Sequence, residues 1–125
     1  MSGKRSRDKG ARGEREWRDK LIELGCVDAH RGCQHSGGPD SPDVKNGIPD
    51  THAEVKRTER LNLGAAYQQA LDEKGEGEVP YVAHRKNNGP WMVTMMAVDM
   101  IPFAKRLAAI KGQPIYPMDY QEDIL

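Results

Sequence analysis

A chain of 125 residues and 14.0 kDa suits one domain and leaves little room for a second. With 37% hydrophobic and 30% charged residues it can bury only a small core, which excludes a long buried sheet and favours a few strands covered by helices. The net charge of zero sums two unlike ends: residues 1–20 hold eight Lys or Arg against four acids, whereas the stretch from Gly112 on holds three acids and no base, and such patches steer partners more than the total does.

No apolar run approaches the roughly 20 residues of a membrane helix, so no membrane association is expected. The polar, charged N-terminus lacks an apolar signal region. A reducing cytoplasmic setting is expected, with Cys26 and Cys33 as thiols. One domain over 1–125 is expected, with a basic, solvated arm over about 1–9 and an acidic tail over about 112–125.

In chain order, residues 10–24 space Trp17, Leu21 and Leu24 as one helical face, and Gly25 supplies the stop. Cys26–Arg31 reads as a short strand. The Gly-, Ser-, Pro- and Asp-rich stretch from Gly32 to Pro42 reads as a loop. Asp43-Val44 opens a strand, Asn46-Gly47 signals a hairpin turn, and Thr51–Arg57 forms the returning strand. Its alternation sets Thr51, Ala53 and Val55 on one face and His52, Glu54 and Lys56 on the other. Residues 62–74 read as a helix capped by Asn62, with Leu63, Ala66, Tyr67, Ala70 and Leu71 as its apolar stripe. Val79–His84 and Trp91–Met96 are strands joined by the KNNGP turn, the second a Met-rich strand expected in the core. A last helix runs from Asp99 to Ile110, with Pro102 tolerated in its first turn. The expected order is αβββαββα.

The densest chemistry lies in SPDVKNGIPDTHAEVKR, residues 41–57. Asp43 and Glu54 offer carboxylates, and the Val55 carbonyl offers a third oxygen, to a hard divalent cation. Lys56 shares a face with Glu54, where it can orient a water or stabilise a phosphate oxygen. A cation that polarises a phosphate and acidifies water is a route to phosphodiester hydrolysis. Of the three Pro-Asp pairs, Asp50 crowds the turn and Asp40 lies in the loop, which leaves Asp43. Cys26, His30, Cys33 and His35 lack the spacing of a zinc module. No nucleotide-type phosphate loop is present, so no nucleotide cofactor is expected.

PDV followed eleven residues later by EVK resembles the PD-(D/E)XK nuclease signature. KGARGERE before an apolar helical run, SGGPDSPDV before the strand, and the element order are similar to archaeal-type Holliday junction resolvases and small phage or prophage endonucleases, over roughly residues 9–96. The resemblance implies a restriction-endonuclease-like α/β core, a mixed central sheet flanked by helices. It implies Glu14 as an extra acid, Asp43 and Glu54 as metal ligands and Lys56 as the catalytic lysine. It implies Gln69, or its neighbour Gln68, as a polar residue aimed at the site, and Ser36 as a loop residue near the scissile phosphate. The cofactor implied is Mg²⁺, with Mn²⁺ as a substitute, and the substrate is DNA, foremost a four-way junction.

Lys9, Arg12 and Arg15, with Arg57 and Arg85 beyond them, are candidate DNA contacts. A homodimer is expected, because a junction has approximate two-fold symmetry, and WMVTMMAVDMIPF offers an apolar surface for it. A flap-, nick- or duplex-acting nuclease of the same fold, and a non-catalytic DNA-binding module, are the alternatives.

Overall fold

A computed structural model describes residues 2–32 and 43–114, with side chains from Asp8 onward. Helix α1 spans Ser2–Glu23 and begins eight residues earlier than the apolar spacing predicts. The basic head is therefore part of the first turns of this helix. Gly25, at φ 108°, ends α1 in the left-handed region that glycine occupies without strain.

Two short strands follow, β1 (His30–Arg31) and β2 (Val44–Lys45), paired antiparallel with His30 opposite Lys45. Then come β3 (Thr51–Arg57), α2 (Leu63–Glu73), β4 (Val79–Arg85), β5 (Met92–Thr94), a 3-10 turn over Ala97–Asp99 and α3 (Met100–Ala108). The αβββαββα order holds, and the fold is α/β. A three-stranded mixed sheet runs β3-β4-β5, with β3 parallel to β4 and β5 antiparallel to β4.

The expected hairpin between β2 and β3 does not form, because β2 pairs with β1 instead. The Asn46-Gly47 signal is real, since Asn46 sits at φ 58°, but Asp50 makes a second left-handed bend at φ 53°. Two bends separate the strands where a two-residue hairpin turn needs one. Asp50 also anchors the fold: its carbonyl accepts from the Val79 N–H at 3.0 Å and from Arg106 Nε at 2.9 Å.

The sheet is covered on both faces. Thr51, Ala53 and Val55 lie opposite Val79, Tyr81 and Ala83, and this face packs on Trp17 and Leu21 of α1 and Phe103 of α3. Trp17 Nε1 donates to the Tyr81 hydroxyl at 3.1 Å, which satisfies both buried polar groups. On the other face, His52, Glu54 and Lys56 lie beside Pro80, Val82 and His84, under α2. Asn62 caps α2 as expected, accepting from the Ala65 N–H at 3.0 Å, and its buried Ala66 and Ala70 keep α2 close to the sheet. The charged face of β3 is thus not a solvated one: His52 to Val55 are all buried.

The Met-rich strand is also corrected. Trp91 and Met95 pack partly on the core, but Met92 is 56% exposed and Val93 and Met96 are exposed too. Val98 in the 3-10 turn and Ile101 of α3 are 76% and 68% exposed, so β5 and the segment after it leave apolar side chains at the surface. A three-stranded sheet gives β5 little to cover. No helix among the described residues is long and apolar enough to cross a membrane.

Candidate functional site

Close approach of α1 to β3 builds the site. A Cβ on Gly13 would come within 2.9 Å of Arg57 Cβ, so only glycine lets the helix lie this near the strand. Its neighbour Glu14 is thereby carried to the edge of β3, buried there and held by Arg31 Nε, which donates to Glu14 Oε1 at 2.9 Å.

Asp43 arrives at the same edge just before β2. The Val55 N–H donates to Asp43 Oδ2 at 2.8 Å, so a side chain takes the place of a neighbouring strand. A strand residue points its N–H and C=O to the same side; the Val55 carbonyl therefore faces the edge where Asp43 lies. Lys56 Nζ is 3.3 Å from Glu54 Oε2 and donates to Gln69 Oε1 at 3.5 Å. Gln68 turns away and donates to Asp72 at 2.9 Å, so Gln69 is the glutamine that faces the site.

A cleft of about 340 Å³ gathers these groups: Lys9 and Glu14 from α1, Asp43 from the start of β2, Glu54 to Arg57 from β3 and Gln69 from α2. Hollows of similar or larger size lie elsewhere, one of about 480 Å³ beside Trp17 and Trp91. Chemistry, not volume, distinguishes the cleft.

Burial dominates its electrostatics. It pushes the Asp43 carboxyl up to about 6; the Val55 N–H opposes this, Glu14 adds to it and Lys56 offsets it. Burial likewise pushes Glu54 up to about 7, with Asp43 adding repulsion and Lys56 relieving part of it. Two acids that resist ionisation together mark a place where added positive charge is favourable.

Three residues that the sequence reading passed over complete the surroundings. Arg31 holds Glu14. His52, two residues before Glu54, and Glu73, one turn after Gln69, approach Glu54 from strand and helix. Ligand atoms of His52, Glu54 and Glu73 all lie within 4.8 Å of one another, so this group can hold a metal ion. The signal was available as phase: position 52 matches 54 at the strand period, and position 73 matches 69 at the helix period.

The expected DNA contacts separate. Arg12 and Arg15 are exposed on α1, and Lys9 lines the cleft. Arg57 and Arg85 share one acid and together keep one net positive charge: Arg57 Nε donates to Glu16 Oε1 at 3.3 Å and an Arg85 guanidinium nitrogen does so at 3.2 Å. His84 is engaged with Thr94 Oγ1 at 2.9 Å. Ser36, Cys33, His35 and Asp40 lie outside the described residues, as does the acidic tail from residue 115. Cys26 is buried, in the turn after α1 rather than in a strand.

No family model matches the chain, and neither a curated protein nor a solved structure matches it.

Proposed function

We propose that this chain is a Mg²⁺-dependent DNA endonuclease of the PD-(D/E)XK kind with a restriction-endonuclease-like core, acting in the cytoplasm on branched DNA, foremost four-way junctions. The observation that carries the reading is the convergence of Glu14, Asp43, Glu54, Lys56 and Gln69 in one cleft from four separated segments. An acid on a helix, two acids and a lysine at one strand edge and a glutamine on the next helix have no common structural need to meet. Hydrolysis of a phosphodiester supplies one.

The donors fit the cation. Asp43, Glu54 and the edge carbonyl of Val55 offer oxygen alone, as hard divalent ions require, and the two buried acids call for positive charge. Bound there, Mg²⁺, or Mn²⁺ in its place, would polarise a phosphate oxygen and acidify water. The chain's own groups do the rest. Lys56, steadied by Glu54 and Gln69, places its ammonium where negative charge grows on the phosphate and where the attacking water must be oriented. Water oxygen bonds to phosphorus as the bond to the 3′-oxygen breaks. Glu14, fixed by Arg31, keeps a further negative charge against Asp43.

Lys9, Arg12 and Arg15 make a basic face on α1 for the phosphate backbone. A homodimer pairs two such sites for the two cuts that resolution needs, and the exposed apolar surface on β5 and α3 is its interface.

The test is cleavage in Mg²⁺ of a panel holding a four-way junction, a flap, a nicked duplex, a linear duplex and a single strand. Paired symmetric nicks in the junction are expected. Cuts confined to flaps or nicked duplex would move the substrate within the nuclease class. Junction binding without a cut in Mg²⁺ or Mn²⁺ would leave a non-catalytic binding module.

A further inference from the structure

We propose that His52, Glu54 and Glu73 form a second cation site, for a divalent transition metal of the Zn²⁺ type, sharing Glu54 with the cleft. The proposal goes beyond the nuclease reading, which uses neither His52 nor Glu73, and it stands or falls separately.

His52 is 1% exposed, and neither ring nitrogen has a hydrogen-bond partner among the described residues. Buried polar side chains are almost always satisfied, so two orphaned nitrogens on one ring need an explanation. Glu78 does not provide it. Its Oε1 stands 3.6 Å from His52 Nδ1, beyond hydrogen-bond reach, which leaves an ion pair only when the ring is protonated. The ring instead lies among carboxylates, with Glu54 at 2% exposure and Glu73 half-buried, all three ligand atoms within 4.8 Å.

The elements explain why these residues meet. Two residues along a strand advance about 6.6 Å, and four along a helix about 6 Å. Helix α2 returns over β3, so Gln69 faces Lys56 and Glu73, one turn on, faces Glu54 and His52. The two rows stay in register along the whole charged face.

Donor chemistry sets the metal class. Asp43, Glu54 and the Val55 carbonyl are all-oxygen donors, suited to Mg²⁺. An imidazole nitrogen with two carboxylates is a mixed set that favours zinc-like ions and leaves a fourth position open. Because Glu54 belongs to both groups, a cation on His52 and Glu73 would draw on the same carboxylate that lines the cleft.

The experiment is a Zn²⁺ titration of the whole chain, labelled with ¹⁵N and followed at the ring nitrogens of its four histidines, with calorimetry alongside. His52→Phe assigns the His52 signals; if that variant does not fold, His30→Gln, His35→Gln and His84→Gln assign them by elimination. Zn²⁺ should shift a His52 ring nitrogen. Glu73→Gln should weaken that binding at least about tenfold, while Glu76→Gln, at an exposed position in the same region, should leave it unchanged. His52 signals unmoved at saturating Zn²⁺, with those of His30 or His35 moving instead, would overturn the site. So would a Glu73→Gln protein that binds as the parent does.

Discussion

The main-chain N–H of Val55 donates to the Asp43 carboxylate across 2.8 Å, and this bond gives Asp43 two separable duties. One is structural, since it closes an edge of β3 that no described strand pairs. The other is charge. Asparagine keeps an oxygen that can accept the bond and loses the charge. Asp43→Asn should therefore keep the bond yet abolish Mg²⁺-dependent cleavage, whereas Asp43→Ala should lose cleavage and be less stable than Asp43→Asn by roughly 1–3 kcal/mol for the orphaned N–H. Paired melting and cleavage assays check both. An asparagine variant that still cuts would remove Asp43 from the chemistry.

Lys56 divides differently. Its ammonium is partly exposed and touches Gln69 and the buried Glu54, so its removal makes Glu54 harder to ionise but leaves a carboxyl that can take up a proton. Lys56→Ala should bind junction DNA and Mg²⁺ and cut at least about a hundredfold more slowly, the scale for removing one preorganised charge-stabilising group. Single-turnover kinetics on bound junction read this directly. Near-normal rates would make Lys56 ordinary surface charge.

The raised acids predict an inverted pH dependence for the metal-free fold. Asp43 and Glu54 ionise near pH 6 and 7 in the folded chain, above their ordinary values. Such a group favours the fold below its unfolded value and loses that advantage as pH climbs through the folded one. Glu54→Gln should accordingly stabilise the metal-free protein at pH 8, on the order of 2 kcal/mol, with the gain vanishing toward pH 4. Mg²⁺ should stabilise the parent at pH 8 and do much less for the variant. Melting curves across that range, with and without Mg²⁺, measure it. A parent more stable than Glu54→Gln at pH 8 without metal would contradict the burial argument.

Much of this site was legible because its chemistry is local in sequence. Glu54 and Lys56 share a strand face, Asp43 follows a proline, and Asn62 and Gly25 announce helix ends. What was not legible depends on tertiary placement. Nothing local says that β2 prefers β1 to β3, because a two-residue strand carries too little pattern to choose a neighbour. Alternation set His52 and Glu54 on one face without saying what covers it; α2, arriving later in the chain, buries them. WMVTMM has the composition of a core strand, but the sheet ends there and half its side chains meet solvent. The need for glycine at position 13 appears only once Arg57 is seen beneath it.

Gly10 and Gly13 make a matched pair on α1. A Cβ at Gly10 meets nothing within 4 Å, and one at Gly13 meets Arg57 Cβ at 2.9 Å. Alanine raises intrinsic helix stability over glycine by about 1 kcal/mol at either place. Gly10→Ala should keep that gain. Gly13→Ala should lose it and more, because Arg57 Cβ is fixed to the strand and α1 must lift. Lifting α1 carries Glu14 from Asp43, so cleavage should fall much further in Gly13→Ala than in Gly10→Ala, whose position lines the same cleft but has open space around it. Equal melting points and equal rates for the two would show that the helix–strand contact does not position the site.

The basic face and the apolar face should report separately. Neutralising Lys9, Arg12 and Arg15 should flatten the salt dependence of junction affinity, by about 0.9 in log–log slope for each phosphate that no longer meets a positive charge. Arg57→Gln and Arg85→Gln should lower stability as well, since both guanidinium groups share the one Glu16 carboxylate. For the apolar face, light scattering should give twice 14.0 kDa, and Val98→Asp with Ile101→Glu, both at exposed apolar positions, should return the monomer without unfolding it. That monomer should still nick DNA but no longer cut a junction in paired symmetric positions, since the described residues of one copy form one such cleft. A parent that is monomeric both free and on junction DNA would remove the resolvase reading and favour a nicking or flap nuclease.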